Sequence, residues 1–324
     1  MTLTTIGVVG GGAWGTALAQ VAAAGGARTL IWAREAEVVA AINRTHANPV
    51  FLPGIALSPA IAAVTTLDAL AAADALLIVT PAQAMATVLA ELAGQPPRPL
   101  VTCAKGIAPG GRSMAEVAAD VLPGWPIAVL SGPTFAHEVA AGLPTAVTLA
   151  CADEALGRAL CARLARPAFR PYWSADVGGA CIGGAVKNVL AIACGVVAGR
   201  RLGDNARAAV ITRGFAEMLR YGLACGAEAA TMGGLSGLGD LVLTCTGTAS
   251  RNFTLGVALG EGRIPATGVS VAEGAATAPV LAAAAATRGI DMPIVAAVAG
   301  LLGGGTTVEA TIAHLLSRPL RAEV

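Results

Sequence analysis

Charge imbalance is nearly absent from this chain. Its 324 residues carry 21 Lys and Arg against 20 Asp and Glu, a formal net charge of +1, so nothing indicates a nucleic-acid partner or an anionic membrane surface. Histidine is scarce: His46, His137 and His314 lie far apart, and no metal-ligand cluster can be assembled from them in sequence. A C-x-x-C pair is missing too. The seven cysteines are scattered, odd in number and set in apolar surroundings, which predicts buried thiols in a reducing compartment and a cytoplasmic protein. Although 55% of the residues are hydrophobic, charge, Pro or Gly breaks each apolar stretch before a clean span of about 18–20 residues, so no stable membrane insertion is expected. Residues 6–27 are uncharged but lack the basic segment that opens a signal peptide.

What is present starts at the amino terminus. Thr5-Ile6-Gly7-Val8-Val9 reads as a short strand. It runs into Gly10-Gly11-Gly12-Ala13-Trp14-Gly15 and then a helical Thr16-Ala17-Leu18-Ala19-Gln20-Val21-Ala22. This is G-x-G-x-x-G between a strand and a helix, the context a dinucleotide site requires. Gly10 permits the tight turn, Gly12 lets the backbone approach a pyrophosphate, and Gly15 lets helix and strand pack closely. The anion would sit at the helix N-terminus, where unpaired N–H groups and the helix dipole converge. In a chain with 41 glycines the motif is weaker evidence than usual. The second strand, residues 28–32, is followed by Ala33-Arg34-Glu35 rather than ending in the acid that marks many NAD sites. Arg34 suits a 2′-phosphate or adenine stacking, and Glu35 keeps the other cofactor open, so the expectation is NADP or NAD.

The length suggests about two domains. Strand signals fall at residues 6–9, 29–32, 75–79, 100–102, 127–130, 145–149 and 169–173, separated by helical runs. That pattern predicts a parallel, doubly wound Rossmann-type α/β domain over residues 1–178. From residue 179 the β signal fades, and long Ala/Leu/Val stretches punctuated by Gly predict an all-helical domain over 179–324. Ligands of doubly wound sheets lie beyond the carboxyl ends of the strands. Attention therefore falls on the turns Thr80-Pro81-Ala82, Cys103-Ala104-Lys105-Gly106 and Ser131-Gly132-Pro133-Thr134-Phe135-Ala136. Lys105 reads equally as a ligand-binding lysine or a solvated loop residue.

The helical half contains an anomaly. Residues 183–193 are apolar on nearly every face except at Lys187 and Asn188. A buried ammonium is costly unless paired, and burial lowers its pKa toward neutrality. Such a group either moves protons or pairs structurally, and the segment alone leaves both readings open. Gly237-Leu238-Gly239-Asp240 supplies a candidate counter-charge, and Ser250-Arg251-Asn252 offers a hydroxyl, a guanidinium and an amide suited to a phosphate.

These motifs together resemble those of the bacterial NAD(P)-dependent glycerol-3-phosphate dehydrogenases. The likeness runs nearly end to end: the glycine loop through Ala19, Asn48-Pro49-Val50-Phe51-Leu52-Pro53-Gly54, Lys105-Gly106-Ile107, and Ser131 through Ala136 with Pro144-Thr145-Ala146. It continues in Lys187-Asn188-Val189, Gly203-Asp204-Asn205, Thr212-Arg213-Gly214, Gly237 through Leu241, Ser250-Arg251-Asn252 and Ala272-Glu273-Gly274. No single motif is specific; the set is. Thr134 stands where serine is more usual, keeping the hydroxyl, and Val50-Phe51 replaces a pattern that often carries tyrosine.

The resemblance implies roles. Lys187 is the expected proton donor and acceptor, with Asp240 and Asn188 orienting its amine. Lys105, Gly132, Thr134, Asp240, Ser250, Arg251 and Asn252 would surround the substrate phosphate ester. Gly10, Gly12, Ala13, Trp14, Gly15, Arg34, Lys105, Ala136, Arg251, Val271 and Glu273 would contact the cofactor. No metal is implied. The expected reaction is reversible hydride transfer between NAD(P)H and dihydroxyacetone phosphate, giving sn-glycerol 3-phosphate for phospholipid synthesis; a homodimer is left open. Two rivals stand beside it. One is a related hydroxyacid enzyme acting on 6-phosphogluconate or ketopantoate. The other is a catalytically dead dinucleotide sensor, against which the intact Lys187, Asp240 and Arg251 argue.

Overall fold

The computed structural model describes residues 3–263 and 272–319. In chain order the strands are β1 (Thr5–Val9), β2 (Arg28–Trp32), β3 (Ala47–Asn48), β4 (Leu52–Ala56), β5 (Ile61–Val64), β6 (Ala75–Ile78), β7 (Leu100–Thr102), β8 (Ile107–Ala108), β9 (Arg112–Ser113), β10 (Ile127–Ser131), β11 (Thr145–Cys151) and β12 (Phe169–Ser174). Eight of them form one sheet in the order β12-β11-β10-β7-β6-β1-β2-β5, while β3 pairs with β4 and β8 with β9 in small hairpins. Helices α1 (Ala13–Ala24), α2 (Ala36–Thr45), α3 (Ala82–Ala90), α4 (Met114–Val121), α5 (Ala136–Ala140) and α6 (Glu154–Leu164) alternate with the strands. Side-chain alternation gives the sheet two dry faces. Val8 and Ile31 join Leu18 in one core, and their neighbours Val9 and Leu30 join Leu76, Ile78 and Met85 in another.

The seven expected strands are all present, shifted at their ends by a residue or two. The sheet also contains β5, which pairs in parallel with β2. Its sequence is Ile-Ala-Ala-Val, and alanine carries little β preference. The expectation of a purely parallel sheet needs correction. Strand β11 runs antiparallel to β10, and β12 runs parallel to β11. The link between β10 and β11 holds only the five-residue helix α5, about 7 Å long, too short to carry the chain back along a strand of seven residues.

Past Ser174 the described chain is helical: α7 (Val177–Gly199), α8 (Asp204–Ala224), α9 (Ala229–Met232), α10 (Asp240–Cys245), α11 (Arg251–Gly260), α12 (Glu273–Thr287), α13 (Pro293–Leu302) and α14 (Val308–Leu316). Helix α7 is the hub. At 23 residues it is long and apolar enough to cross a membrane, contrary to the expectation that no such run exists, yet 94% of its most apolar window is buried inside the protein. Small residues let α11 lie against it backbone to backbone. A Cβ on Gly195 would meet Phe253 O at 2.1 Å and Gly256 Cα at 2.8 Å, and one on Gly256 would meet Ile192 O at 2.0 Å. The glycines that punctuate the helical stretches here are thus contact points. The cysteines also depart in part from expectation: Cys225 is exposed and Cys161 half-buried, while the other five are buried.

A buried carboxylate ties α8 to α13. Glu217, 3% exposed, accepts hydrogen bonds from the Ile294 N–H (2.8 Å) and the Val295 N–H (3.2 Å) in the first turn of α13. Burial pushes its pKa up to about 7 against the opposing pull of those N–H groups. A raised folded-state pKa means that stability present at acidic pH is lost as pH rises through about 7. The wild type should therefore lose stability relative to Glu217→Gln between about pH 5 and about pH 8, read as urea midpoints. Parallel pH profiles for the two proteins would show that Glu217 does not titrate.

Candidate active site

The glycine loop joins β1 to α1 and is built as its spacing requires. Gly10 has φ of +126°, and a Cβ there would press on Val79 O at 2.9 Å. A Cβ on Gly15 would lie 1.9 Å from Gly10 O, which explains the close helix–strand contact. Gly11 is also required: its Cβ would meet that of Ala33 at 2.4 Å, a constraint the motif alone does not state. Gly12 is the N-cap of α1, no side chain caps it, and the first turn has no acidic residue. Among the described residues nothing lies within 4 Å of the position its Cβ would take. Ala13 and Trp14 open the helix beside it. The result is an uncapped helix start with open space above it, a geometry that accepts an anion.

Arg34 sits just past β2. Its side chain is 84% exposed and bonds Glu35 Oε1 at 3.3 Å. Thr80 follows β6, and its hydroxyl is buried with no hydrogen-bond partner among the described residues. Ala136 is the first residue of α5. Val271 lies outside the described residues. Glu273 begins α12, half-buried; burial raises its pKa, opposed by the charges of Lys105, Arg251 and Lys187.

The chemistry centres on one carboxylate. Asp240 follows a single π-helical turn, Leu235–Gly239, and has no exposed surface. Its Oδ1 accepts from Lys187 Nζ at 2.8 Å and its Oδ2 from Lys105 Nζ at 2.6 Å. Lys187 comes from the middle of α7 and Lys105 from the turn after β7, so the two halves of the chain meet on this side chain. Lys187 Nζ also donates to Thr244 Oγ1 at 2.7 Å, and that hydroxyl donates to Asp240 O at 2.6 Å. Burial pulls the Lys187 pKa down from 10.5 to about 8; Asp240 pulls it back up and the Lys105 charge adds to the lowering. For Asp240, burial alone would raise the pKa, but the two ammonium groups outweigh it and hold the carboxyl below its ordinary range. Lys105 Nζ further donates to Gly132 O at 3.3 Å. Gly132 has φ of +153°, with Val147 Cα 2.9 Å from where a Cβ would sit. Thr134 Oγ1 donates to the same carbonyl at 3.3 Å.

The amide pair is arranged differently from the expectation. Lys187 takes Asp240 and Thr244, whereas Asn188 Oδ1 accepts from Asn252 Nδ2 at 3.0 Å. One position along a helix turns a side chain by about 100°, so Asn188 faces α11 and orients Asn252 rather than the amine. Asn252 Oδ1 in turn accepts from the Gly274 N–H at 2.9 Å. Ser250 Oγ caps α11 by accepting from the Phe253 N–H at 3.2 Å, which leaves its own proton to donate. Arg251 is the first residue of that helix. Thr244 carries no motif signal of its own; only its place four residues after Asp240 on one helix face could have drawn attention to it.

Comparison with known proteins adds an independent line. The NAD-dependent glycerol-3-phosphate dehydrogenase N-terminus family model matches residues 5–157, and the corresponding C-terminus model matches residues 176–313. The chain belongs to this family. It is 61% identical over 276 residues to glycerol-3-phosphate dehydrogenase [NAD(P)+] 1 of Sphingopyxis alaskensis, covering 83% of each chain. It is 58% identical over 285 residues to the Caulobacter vibrioides glycerol-3-phosphate dehydrogenase [NAD(P)+], covering 85% of this chain and 86% of that one. The crystal structure of glycerol-3-phosphate dehydrogenase from Coxiella burnetii superposes with a TM-score of 0.93 at 38% identity, covering 98% of this chain and 99% of that one.

The expectation that Arg34 holds a 2′-phosphate can be tested at this exposed side chain. Arg34→Ala should weaken NADPH binding by about tenfold and NADH binding less, measured by fluorescence titration. Equal losses for both would assign Arg34 to the adenine ring and exclude a contact with the 2′-phosphate.

Proposed function

We propose that this chain is an oxidoreductase catalysing reversible hydride transfer between NAD(P)H and dihydroxyacetone phosphate to give sn-glycerol 3-phosphate. The observation that carries the reading is the Lys187–Asp240–Lys105 cluster at the meeting of the two halves, in a chain of this family. The division at residues 178 and 179 is part of the proposal, with β12 ending at Ser174 and α7 starting at Val177. So are a cytoplasmic location and a product that feeds phospholipid headgroup synthesis.

The residues suit a nicotinamide dinucleotide. The open, uncapped start of α1 fits the diphosphate, Arg34 fits the adenosine end, and the unpartnered Thr80 hydroxyl follows β6, the strand next to β1. When bound, the cofactor supplies the hydride to the carbonyl carbon of the substrate. The protein supplies the rest. Negative charge develops on the C2 oxygen, and Lys187, held by Asp240 and Thr244, gives it a proton; in the reverse direction the neutral amine removes it. Lys105 adds a second positive charge on the same carboxylate, stabilising an oxyanion. Arg251, the Ser250 hydroxyl and the amino end of α11 would hold the phosphate and so position the carbon.

Progress curves of NADPH absorbance with dihydroxyacetone phosphate, and of NADP reduction with 6-phosphogluconate, test the reading directly. Turnover only of the second would install the rival hydroxyacid chemistry, and binding without turnover of either would leave a sensor.

Two further outcomes follow. With Lys187 titrating at about 8, reduction, which needs the ammonium, should fall as pH rises through that value, and oxidation, which needs the amine, should rise. Lys187→Ala should lower kcat by roughly 10²–10⁴-fold while leaving cofactor affinity nearly unchanged, and Lys187→Arg should fail as well because guanidinium keeps its proton. A folded Lys187→Ala protein with near wild-type single-turnover rates, its melting temperature measured on the same sample, excludes the mechanism. Separately, Arg251→Ala should raise KM for dihydroxyacetone phosphate roughly 10- to 100-fold; an unchanged KM and kcat would put the phosphate elsewhere.

A further inference from the structure

Asn48 is completely buried although it stands in a surface hairpin, at the end of the two-residue strand β3. Its carboxamide is nearly used up. One N–H goes to Gly11 O at 2.8 Å and the other to Thr16 Oγ1 at 2.8 Å, while Oδ1 accepts from the Phe51 N–H at 3.2 Å. The Thr16 hydroxyl donates to the same Gly11 carbonyl at 3.4 Å. Asn48, Gly11 and Thr16 thus close a triangle beneath the glycine loop.

The orientation of one peptide follows. No peptide bond in the described chain is cis, so the Gly11 carbonyl and the Gly12 N–H point in opposite directions. With Gly11 O anchored on Asn48, the Gly12 N–H faces away from the hairpin. Among the described residues that N–H has no acceptor. Three consecutive glycines, Gly10 to Gly12, would otherwise leave this peptide free to rotate. Ordering it on ligand arrival would cost affinity, and a pre-oriented donor avoids that loss.

We propose that Asn48 is a positioning residue for the cofactor diphosphate: it fixes the Gly11–Gly12 peptide with its N–H presented to the anion before the cofactor binds. The proposal rests on the reading that the glycine loop holds the dinucleotide. It assigns a task to the Asn48-Pro49 segment, to which the sequence motifs attach no chemistry.

The test uses Asn48→Ala, Asn48→Asp, Thr16→Val and Thr16→Ser in the full chain, with NADH and NADPH Kd from fluorescence titration and steady-state constants for dihydroxyacetone phosphate. Asn48→Ala should raise both cofactor Kd values by about tenfold and to the same extent, because the diphosphate is common to both. Asn48→Asp should be at least as damaging, since it sets a carboxylate against the Gly11 carbonyl. KM for dihydroxyacetone phosphate and kcat at saturating cofactor should stay near wild type. Thr16→Val should weaken cofactor binding and Thr16→Ser should restore it, a pair that decides the matter even if the Asn48 variants do not fold. A cofactor Kd within twofold of wild type in folded Asn48→Ala, or Thr16→Val and Thr16→Ser behaving alike, overturns the proposal. So does a loss spread equally over cofactor, substrate and kcat. Gly12→Val separates the proposal from its premise by filling the open space over the loop. If Gly12→Val loses the cofactor while Asn48→Ala keeps it, only the Asn48 role falls. If Gly12→Val binds normally, the loop reading and this inference fall together.

Discussion

The site depends on a fully buried carboxylate shared by two ammonium groups. Asp240 has no contact with water, and alone it would be forced to take up a proton. Lys187 at 2.8 Å and Lys105 at 2.6 Å keep it ionised. The dependence runs in both directions, because Lys187 is also buried and would shed its proton without Asp240. The arrangement carries one positive charge beyond neutrality, and burial, with the repulsion of Lys105 added to it, brings the Lys187 pKa down to about 8 against the pull of Asp240. Since Lys105 belongs to the sheet half and Lys187 to the helical half, the same carboxylate also joins them electrostatically. Removing it would leave two facing cations, one of them buried, a larger disturbance than the loss of a surface ion pair.

Around this charge centre the protein uses backbone where a larger side chain would intrude. The glycine loop gives up every Cβ between Gly10 and Gly12, and α7 and α11 meet at glycines on both partners. The effect is rigid placement. α11 carries Ser250, Arg251 and Asn252 at its amino end and is seated on the helix that carries Lys187. The Asn188–Asn252–Gly274 chain of hydrogen bonds then attaches α12, with Glu273 at its start, to the same pair. Three helices are locked by two carboxamides and a row of missing side chains.

Much of this was legible in the sequence, and the reasons for the gaps are physical. The β1 loop, the strand positions and the oddity of Lys187 are local features, carried by spacing and by the contrast of one polar residue with its apolar neighbours. What sequence reading missed depends on contacts between distant residues. Thr244 reaches Lys187 across 57 positions and Asn48 reaches Gly11 across 37; neither residue is unusual where it stands. Asn188 was noticed for its polarity, but its direction is a matter of helical phase against α11, and the sequence does not number that partner. Strand β5 lacked a signal because alanines fill half of it. The reversal at β11 was hidden in the shortness of α5, whose apolar pattern is compatible with a longer crossover. Lys105, ambiguous as a loop residue, was resolved only by the carboxylate it meets.

The reversed strands decide how Lys187 is delivered to Asp240. Because β11 and β12 run against the other six, β12 heads away from the ligand-facing turns and ends level with the middle of β10; Ser174 pairs with Ala150, which lies beside Val129. Helix α7 therefore begins on the far side and climbs across the face of the sheet, with Ala180 and Cys181 packed on Val129 and Ala150. By Gly184 it has reached the end of β10, where a Cβ would touch Ser131 Oγ at 2.7 Å, and Lys187 arrives one turn later, ten residues and about 15 Å from the helix start. Had the sheet stayed parallel, the connecting helix would have started beside the turns that follow β7 and β10 and offered its first turn there. Instead Asp240 meets the waist of a long helix, far from the partial charges at either end, which fade within a turn. The basicity of Lys187 is thereby insulated from the helix ends and left to the side chains around it.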